Sequence, residues 1–524
     1  MQKARKHTGK RNTGGGFAAM LSELKGKPLQ KLLAKVPEWQ GVADGLRVPA
    51  GINAEQCSSS ATGRYKARLA LSLASGNEVA ETAANRPGED RRKNADVTTF
   101  PSGDTASKSQ DESILNGTVQ GQTGRGDAGN TLSGRIADLT GGLGVDSWFF
   151  SRYFGEVLYC ERNPELAEAA VSNFRQLEAG NIRCICHGSA SDDATAVLLE
   201  EFSPDVIYLD PARRNSSGNK VFLLEDCEPD LCTMLPMLLE KAPVVLVKVS
   251  PMADITMLER RIGRNLAAVH IIQSKGEVKE LLLVISRHGR NADALPLTVA
   301  EADSGAILQF SREEEVQAGA VFADVSELSA TAEVSGQSAQ DAADAAPLKA
   351  EADTDEGNRY RTQSAVLFEP GPALLKSGAF KLLCSRFSAR KLSSDSHLYL
   401  CPEGLRARPD NPCVRPIPAG PDALQTADSS AVNYGDAENS EPSVLAYFGK
   451  FWRICEVLPL NSTELKNAGK RYPDAEVSAR GIPMTSEELR RRLGCFSGGN
   501  IHIFGVTALS AGTPTRRLLI CERG

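Results

Sequence analysis

The sequence predicts an α/β protein built on an open, mostly parallel, doubly wound sheet. Three observations predict it. From Arg135 to about His288, strand-like apolar runs alternate with helical patterns, the signature of parallel strands joined by helical crossovers. The first strand runs into Ile136-Ala-Asp-Leu-Thr-Gly-Gly-Leu-Gly-Val-Asp146, where strand, glycine turn and amphipathic helix follow one another. In that geometry a ligand approaches bare backbone and faces a helix N-terminus. A later strand, Val206 to Leu209, ends in Asp210-Pro-Ala-Arg-Arg214, which puts an acid at the carboxyl end of a strand, where ligand crevices of open α/β sheets lie.

Residues 1–75 form a short helical region, with a helix predicted from Phe17 to Lys35 and Pro28 marking a break or a second start. The Gln56-Cys57-Ser58-Ser59 run reads as a cap for a following helix. Residues 76–133 are rich in Gly, Asn, Ser, Thr, Asp and Arg without apolar periodicity and are predicted to be a disordered insertion; 325–358 and 421–440 have the same character. The catalytic-type sheet is predicted over 134–290. Its strands are Arg135–Leu139, Glu156–Glu161, Ile182–Cys186, Val206–Leu209 and Val244–Val249, and Val269–Ile272 with Glu280–Ile285 closes the sheet as an edge hairpin. Helices are predicted at Pro164–Leu177, Ala194–Phe202, Leu231–Lys241 and Ile255–Ile262. Residues 359–524 read as mixed α+β, with a basic helix from Ser486 to Leu493.

The 524 residues carry a formal net charge of −6, unevenly spread. Residues 1–75 hold thirteen Lys/Arg against four Asp/Glu, and residues 301–360 hold three against fourteen. An acidic insertion therefore masks basic surface in the whole-chain sum, a distribution compatible with a nucleic-acid partner. The twelve cysteines have no paired metal spacing and read as reduced core thiols, so no metal is expected. No apolar run approaches the ~20 residues of a membrane span, and the basic N-terminus leads into glycines rather than a signal-peptide core. A cytoplasmic protein without a membrane partner is expected.

The chemistry-bearing residues lie at strand ends. Asp138, Gly141, Gly142, Gly144 and Asp146 form an Asp-x-x-Gly-Gly-x-Gly turn, and Glu161 closes the next strand about twenty residues on, where a carboxylate can bind ribose hydroxyls. This arrangement resembles the class I S-adenosyl-L-methionine (SAM) methyltransferases, whose Rossmann-like sheet carries an acid-then-glycines motif followed by a strand-end acid. The resemblance implies SAM as cofactor, with Asp138 facing its methionine end, Glu161 its ribose, and Asp192 completing the cofactor set. Asp210-Pro-Ala-Arg resembles the Asp-Pro-Pro-Tyr motif that holds the attacked nitrogen in amino methyltransferases, with Arg213 in place of the aromatic. Arg213 and Arg214 therefore suit a phosphate or carboxylate contact. Asp210, Lys248 and Glu280 also resemble three members of the Lys-Asp-Lys-Glu set of ribose 2′-O-methyltransferases, with Lys66 a candidate fourth by position. A structural ion pair across neighbouring strands explains the same charges. Ser250-Pro-Met stands where uracil C5-methyltransferases place a nucleophilic cysteine, which argues against covalent pyrimidine methylation.

Over its length the chain resembles a Bacteroidetes-type methyltransferase family with a C-terminal THUMP-like domain. The resemblance rests on Glu55-Gln-Cys-Ser-Ser59, Asp138 to Asp146, Tyr208 to Arg214, Leu224 to Asp230, Lys248-Val-Ser-Pro251, and Arg480-Gly-Ile-Pro483 with the Glu487-Glu-Leu-Arg helix. It implies a small ferredoxin-like module with the acidic insertion at 291–358 and a THUMP-like domain at 359–524. It further implies RNA (tRNA or rRNA) as partner, contacted through Lys470 and Arg471 among other basic residues of the tail. The expected function is a SAM-dependent RNA methyltransferase, with a base amine slightly preferred over the ribose 2′-hydroxyl. The alternatives are a non-catalytic SAM- and RNA-binding scaffold, or a methyltransferase of proteins or small molecules.

Overall fold

The computed structural model describes residues 26–49, 51–75, 132–186, 193–211, 230–290, 294–336, 365–406 and 444–523. These fall into two compact units that divide between Ala267 and Ala268, with Leu283–Asn291 returning to the first.

In the first unit, β1 (Arg135–Asp138), β2 (Glu156–Glu161), β3 (Ile182–Cys186), β4 (Val206–Leu209) and β5 (Val244–Val249) are parallel and ordered β3-β2-β1-β4-β5. The order reverses between β1 and β4, so loops after these strands diverge around a crevice. Every residue of β4 and β5 is buried, as a parallel sheet covered on both faces requires. Helices Pro164–Gln176 and Ile255–Ile262 start where Asn163 and Asp254 side chains accept backbone N–H groups of their first turns. The predicted strand and helix limits from β1 to the helix Ile255–Ile262 are met within a residue or two.

Residues 26–35 are helical through Pro28, and 17–25 lie outside the described residues. A 3-10 helix (Pro37–Gly45) follows, its Trp39 fully buried edge-on to Trp148 at 5.8 Å. Ser59 closes a capping box with Thr62 at the start of helix Ser60–Ala74. That helix lies close on helix Val145–Ser151: a Cβ at Gly63 would stand 2.3 Å from the Phe149 ring.

Beyond β5, strands β6 (Leu266–Ser274) and β7 (Glu277–Ser286) turn through Lys275 and Gly276, both at positive φ. They do not form the predicted edge. Strand β8 (Pro296–Glu301) pairs in parallel with β6, and β9 (Ile307–Ser311) antiparallel with β8. The reason is visible in burial: Val269, Ile271 and Ile272 of β6 are inaccessible, and Leu297, Val299 and Ala300 of β8 extend the same apolar layer.

The rest of the second unit is a seven-stranded sheet, ordered β11-β12-β10-β13-β16-β15-β14. Its members are β10 (Ala365–Pro370), β11 (Arg390–Lys391), β12 (Tyr399–Pro402), β13 (Gly449–Pro459), β14 (Asp474–Arg480), β15 (Phe496–Ser510) and β16 (Thr513–Arg523). Along β16, Leu518 and Ile520 enter one apolar cluster while Leu519 and Cys521 enter the other, the period of two that buries both faces. Leu465, Leu489 and Leu493, from helices Ser462–Arg471 and Ser486–Leu493, fill the first cluster.

Helix Val325–Gly336 contributes to the second cluster. This corrects the reading of 325–358 as an insertion from its first residue. Leu328 is fully buried among Leu367, Trp452 and Phe504, with Val325 and Ala332 packed beside it. Three apolar side chains at spacings of three and four anchor a helix whose other residues are largely Ser, Thr and Glu. The remainder of that span, and 76–131 and 421–440, lie outside the described residues.

Candidate active site

The glycine loop after β1 is held from both sides. Its Gly141 N–H donates to Cys160 O on β2 at 2.8 Å, and Leu139 N–H to Tyr208 O on β4 at 3.1 Å. The three glycines are there for two physical reasons. A Cβ at Gly141 would stand 2.1 Å from the Tyr159 ring, and one at Gly144 2.3 Å from the Phe174 ring, so both positions serve packing. Gly142, at φ +54, has only Thr140 O within 4 Å, at 3.9 Å, and is the glycine with open space for an approaching ligand.

Glu161 ends β2 and folds onto this loop. One carboxylate oxygen accepts from Gly142 N at 2.8 Å and the other from Asn163 N at 2.8 Å. Each oxygen keeps a further lone pair, and the half-exposed carboxylate fits a vicinal diol beside Gly142. These acceptor oxygens thus fit the ribose hydroxyls of an adenosyl cofactor. Asp138 is 1 % exposed and turned inward, accepting from Thr140 N at 3.1 Å and Ser147 Oγ at 2.6 Å. Burial pushes its carboxyl up to about 7, against the two hydrogen bonds.

Asp146 opens the helix after the loop and sits in a buried polar cluster. Its carboxylate accepts from Ser58 Oγ, Lys66 Nζ and Tyr208 OH, each at 3.0 Å. Lys66 is inaccessible and its ammonium also donates to Ser58 Oγ at 2.5 Å. Burial alone would raise the Asp146 carboxyl; Lys66 first, then Lys248, overcome that and hold it below its ordinary value. The Gln56-Cys57-Ser58-Ser59 run therefore does two things: Ser59 caps a helix and Ser58 joins this cluster.

At the end of β4, Asp210 keeps its backbone N–H on Thr140 Oγ1 at 2.6 Å, which ties the strand end to the glycine loop. Its carboxylate, 31 % exposed, accepts from Lys248 Nζ at 2.6 Å, and Lys248 is only 5 % exposed on β5. Asp138, Gly142, Asp146, Glu161, Asp210 and Lys248 thus all belong to the first unit, at the carboxyl ends of β1, β2, β4 and β5. Glu280 is buried on β7, among the residues of the second unit. Asp192, Arg213 and Arg214 lie outside the described residues. In the tail, Lys470 is exposed, while Arg471 is ion-paired with Glu456 at 2.6 Å. Arg490 and Arg492 also have acidic partners, Glu476 and Glu488.

Thr140, Ser147, Ser58 and Tyr208 are the site residues that sequence reasoning missed. Only Thr140 had a local signal, since a hydroxyl inside a glycine loop has few other uses. Among the described residues, no helix is long and apolar enough to cross a membrane.

Comparison with known proteins completes the description. A ferredoxin-like domain family matches residues 367–406 and a THUMP domain-like family matches 449–523. The ferredoxin-like match falls downstream of the 291–358 span predicted for it, on strands β10 to β12. The chain is similar to the crystal structure of a candidate methyltransferase from Porphyromonas gingivalis W83, with 23 % identity and a TM-score of 0.61. That likeness covers 98 % of this chain and 93 % of the other. It is also similar to a SAM-dependent methyltransferase from Neisseria gonorrhoeae, at 22 % identity over 30 % of this chain and 63 % of that one, with a TM-score of 0.23. No curated protein matches the sequence. The chain therefore shares the α/β fold of that candidate methyltransferase and carries ferredoxin-like and THUMP-like domains.

Proposed function

We propose that the chain is a SAM-dependent methyltransferase acting on RNA in the cytoplasm, with a base amine slightly preferred over a ribose 2′-hydroxyl. The observation that carries this reading is the carboxylate of Asp210, part-exposed at the end of β4, fixed by Lys248 at 2.6 Å and bound through its backbone to the glycine loop. Glu161 would hold the ribose hydroxyls and Gly142 would allow the cofactor close to the backbone, while inward-turned Asp138 keeps the loop in shape. Bound SAM would supply a methyl group on a positively charged sulfur, open to in-line displacement. Asp210 would accept a hydrogen bond from the acceptor N–H, aim its lone pair and receive the proton released.

Lys248 donates to that carboxylate in the structure, a role that orients Asp210 and favours the amine reading. The ribose reading draws on a different observation: Lys66 and Lys248 both act on Asp146, so both lysines of the Lys-Asp-Lys-Glu resemblance stand by one carboxylate. RNA is proposed on the THUMP-like match. Lys466, Lys470 and Arg491 are exposed for phosphate contact, and the surface pairs of Arg471 and Arg492 are weak enough, about 1 kcal/mol or less, to yield to phosphate. Arg213 and Arg214 are proposed to contact a phosphate near the acceptor.

Mass spectrometry of nucleosides from cells with and without the gene tests the proposal. One methylated base should disappear with the gene. Loss of a 2′-O-methyl nucleoside instead would replace the amine reading by the ribose one, and an unchanged set would remove RNA as substrate. A folded protein that binds SAM but transfers nothing to any RNA would be the scaffold.

A further inference from the structure

The β11–β12 hairpin carries a group of donors outside the site described above. Lys391 pairs with Tyr399 across it, and Leu392 N–H donates to Leu398 O at 3.1 Å, closing the loop Ser393-Ser394-Asp395-Ser396-His397. Lys391 is 6 % exposed, and among the described residues its ammonium makes one hydrogen bond, to the neutral Ser394 carbonyl at 3.1 Å. No carboxylate of the described residues pairs with it. Glu315 is occupied by the backbone N–H groups of Phe380, Lys381 and Leu382, and Asp395 is exposed at the loop tip with the Ser394 hydroxyl. Ser393 Oγ and His397 Nδ1 are both buried, and neither has a partner among the described residues. The His397 ring stacks on Phe380 at 4.3 Å, which fixes where Nδ1 points. Lys391 and Arg480 both act electrostatically on His397, though Arg480 is itself ion-paired with Glu369 at 2.9 Å.

Buried polar groups in folded proteins are almost always satisfied. Here, among the described residues, a hydroxyl and a ring nitrogen lack partners and an ammonium has a single neutral acceptor, all within seven residues, and all three can donate, the imidazole as its Nδ1–H tautomer. The missing element is one compact acceptor with several oxygens and negative charge. We propose that this hairpin loop binds an oxyanion of the phosphate class through Lys391, Ser393 and His397. The phosphate is either inorganic or a phosphodiester of a nucleic-acid chain. Burial now lowers the Lys391 ammonium below its ordinary range, and a bound anion would offset that by supplying the counter-charge. The site stands independently of the methyl-transfer reading.

The test uses the full chain without SAM. Thermal unfolding is followed while inorganic phosphate is titrated against chloride at matched ionic strength. Phosphate in the millimolar range should raise the midpoint of the wild type by several degrees. Lys391→Met should weaken the phosphate response at least tenfold, and Ser393→Ala, which removes one hydroxyl and is the safer variant for folding, should weaken it severalfold. Absence of a phosphate-specific rise in the wild type, or a wild-type response in both variants, overturns the proposal. Phosphorus NMR of the bound phosphate, with a short RNA added, separates the sources. Displacement supports a phosphodiester as the natural occupant, and retention supports free phosphate.

Discussion

At the scale of single residues, Asp138 shows what burial does to a loop carboxylate. Its carboxyl ordinarily titrates near 3.8 and burial pushes it up to about 7. Between those values the folded chain keeps a proton that the unfolded chain has lost. Its contribution to stability is therefore fully present below about pH 4, declines as pH rises to about 7, and is constant above. Asp138→Asn should remove that decline, so the difference in unfolding free energy between variant and wild type should change between pH 5 and pH 8, measured by urea titration. Equal pH slopes for the two proteins would mean that the carboxyl is not perturbed. Glu161 contrasts with it, being half-exposed and, among the described residues, accepting from backbone N–H groups. Glu161→Ala should weaken SAM binding by about 1–3 kcal/mol through lost charged hydrogen bonds. Calorimetry giving wild-type affinity in a folded variant would take Glu161 out of the cofactor site.

At the scale of elements, the helix Ser60–Ala74 is fastened to the glycine-loop helix by Lys66 and Asp146. Lys66→Met would leave Asp146 buried among hydroxyls without its main counter-charge, at a cost of about 3–5 kcal/mol, and adding Asp146→Asn should recover much of it. Chemical denaturation of the single and double variants measures both effects, and a purely additive pair would contradict the coupling. Helix Val325–Gly336 is fastened by packing instead. Leu328→Ala should cost about 2–5 kcal/mol because the residue is fully buried, and a change below about 1 kcal/mol in the same assay would return the segment to the insertion. These two elements also mark where the sequence stops being legible. The five parallel strands can be read because each is a short, mostly apolar local run, buried throughout in β4 and β5. The Lys66–Asp146 pair joins residues 80 apart, and no local pattern records such a partner. The Ala-, Ser- and Glu-rich composition of 325–336 resembles a solvated segment, and Val325, Leu328 and Ala332 gain meaning only from the sheet that receives them. Position alone suggested Lys66; packing supplied its partner.

At the scale of the whole molecule, strands of the ferredoxin-like match (β10 to β12) and of the THUMP-like match (β13 to β16) form one continuous sheet through antiparallel pairing of β10 with β13. This explains why composition alone could not draw a boundary there: the shared core crosses it. The net charge of −6 is likewise a sum over unlike segments, and the proposed RNA contact depends on local cations rather than on that sum. The central claim is methyl transfer from SAM at the end of β4. Its most direct measurement is transfer of a labelled methyl group from SAM to cellular RNA by the wild type and by Asp210→Asn, with SAM affinity and folding measured for both. The account predicts that both proteins bind SAM with similar affinity, that the wild type labels RNA, and that the variant loses at least a hundredfold in rate. Labelling by Asp210→Asn at the wild-type rate, or a folded wild type with no affinity for SAM, would contradict it.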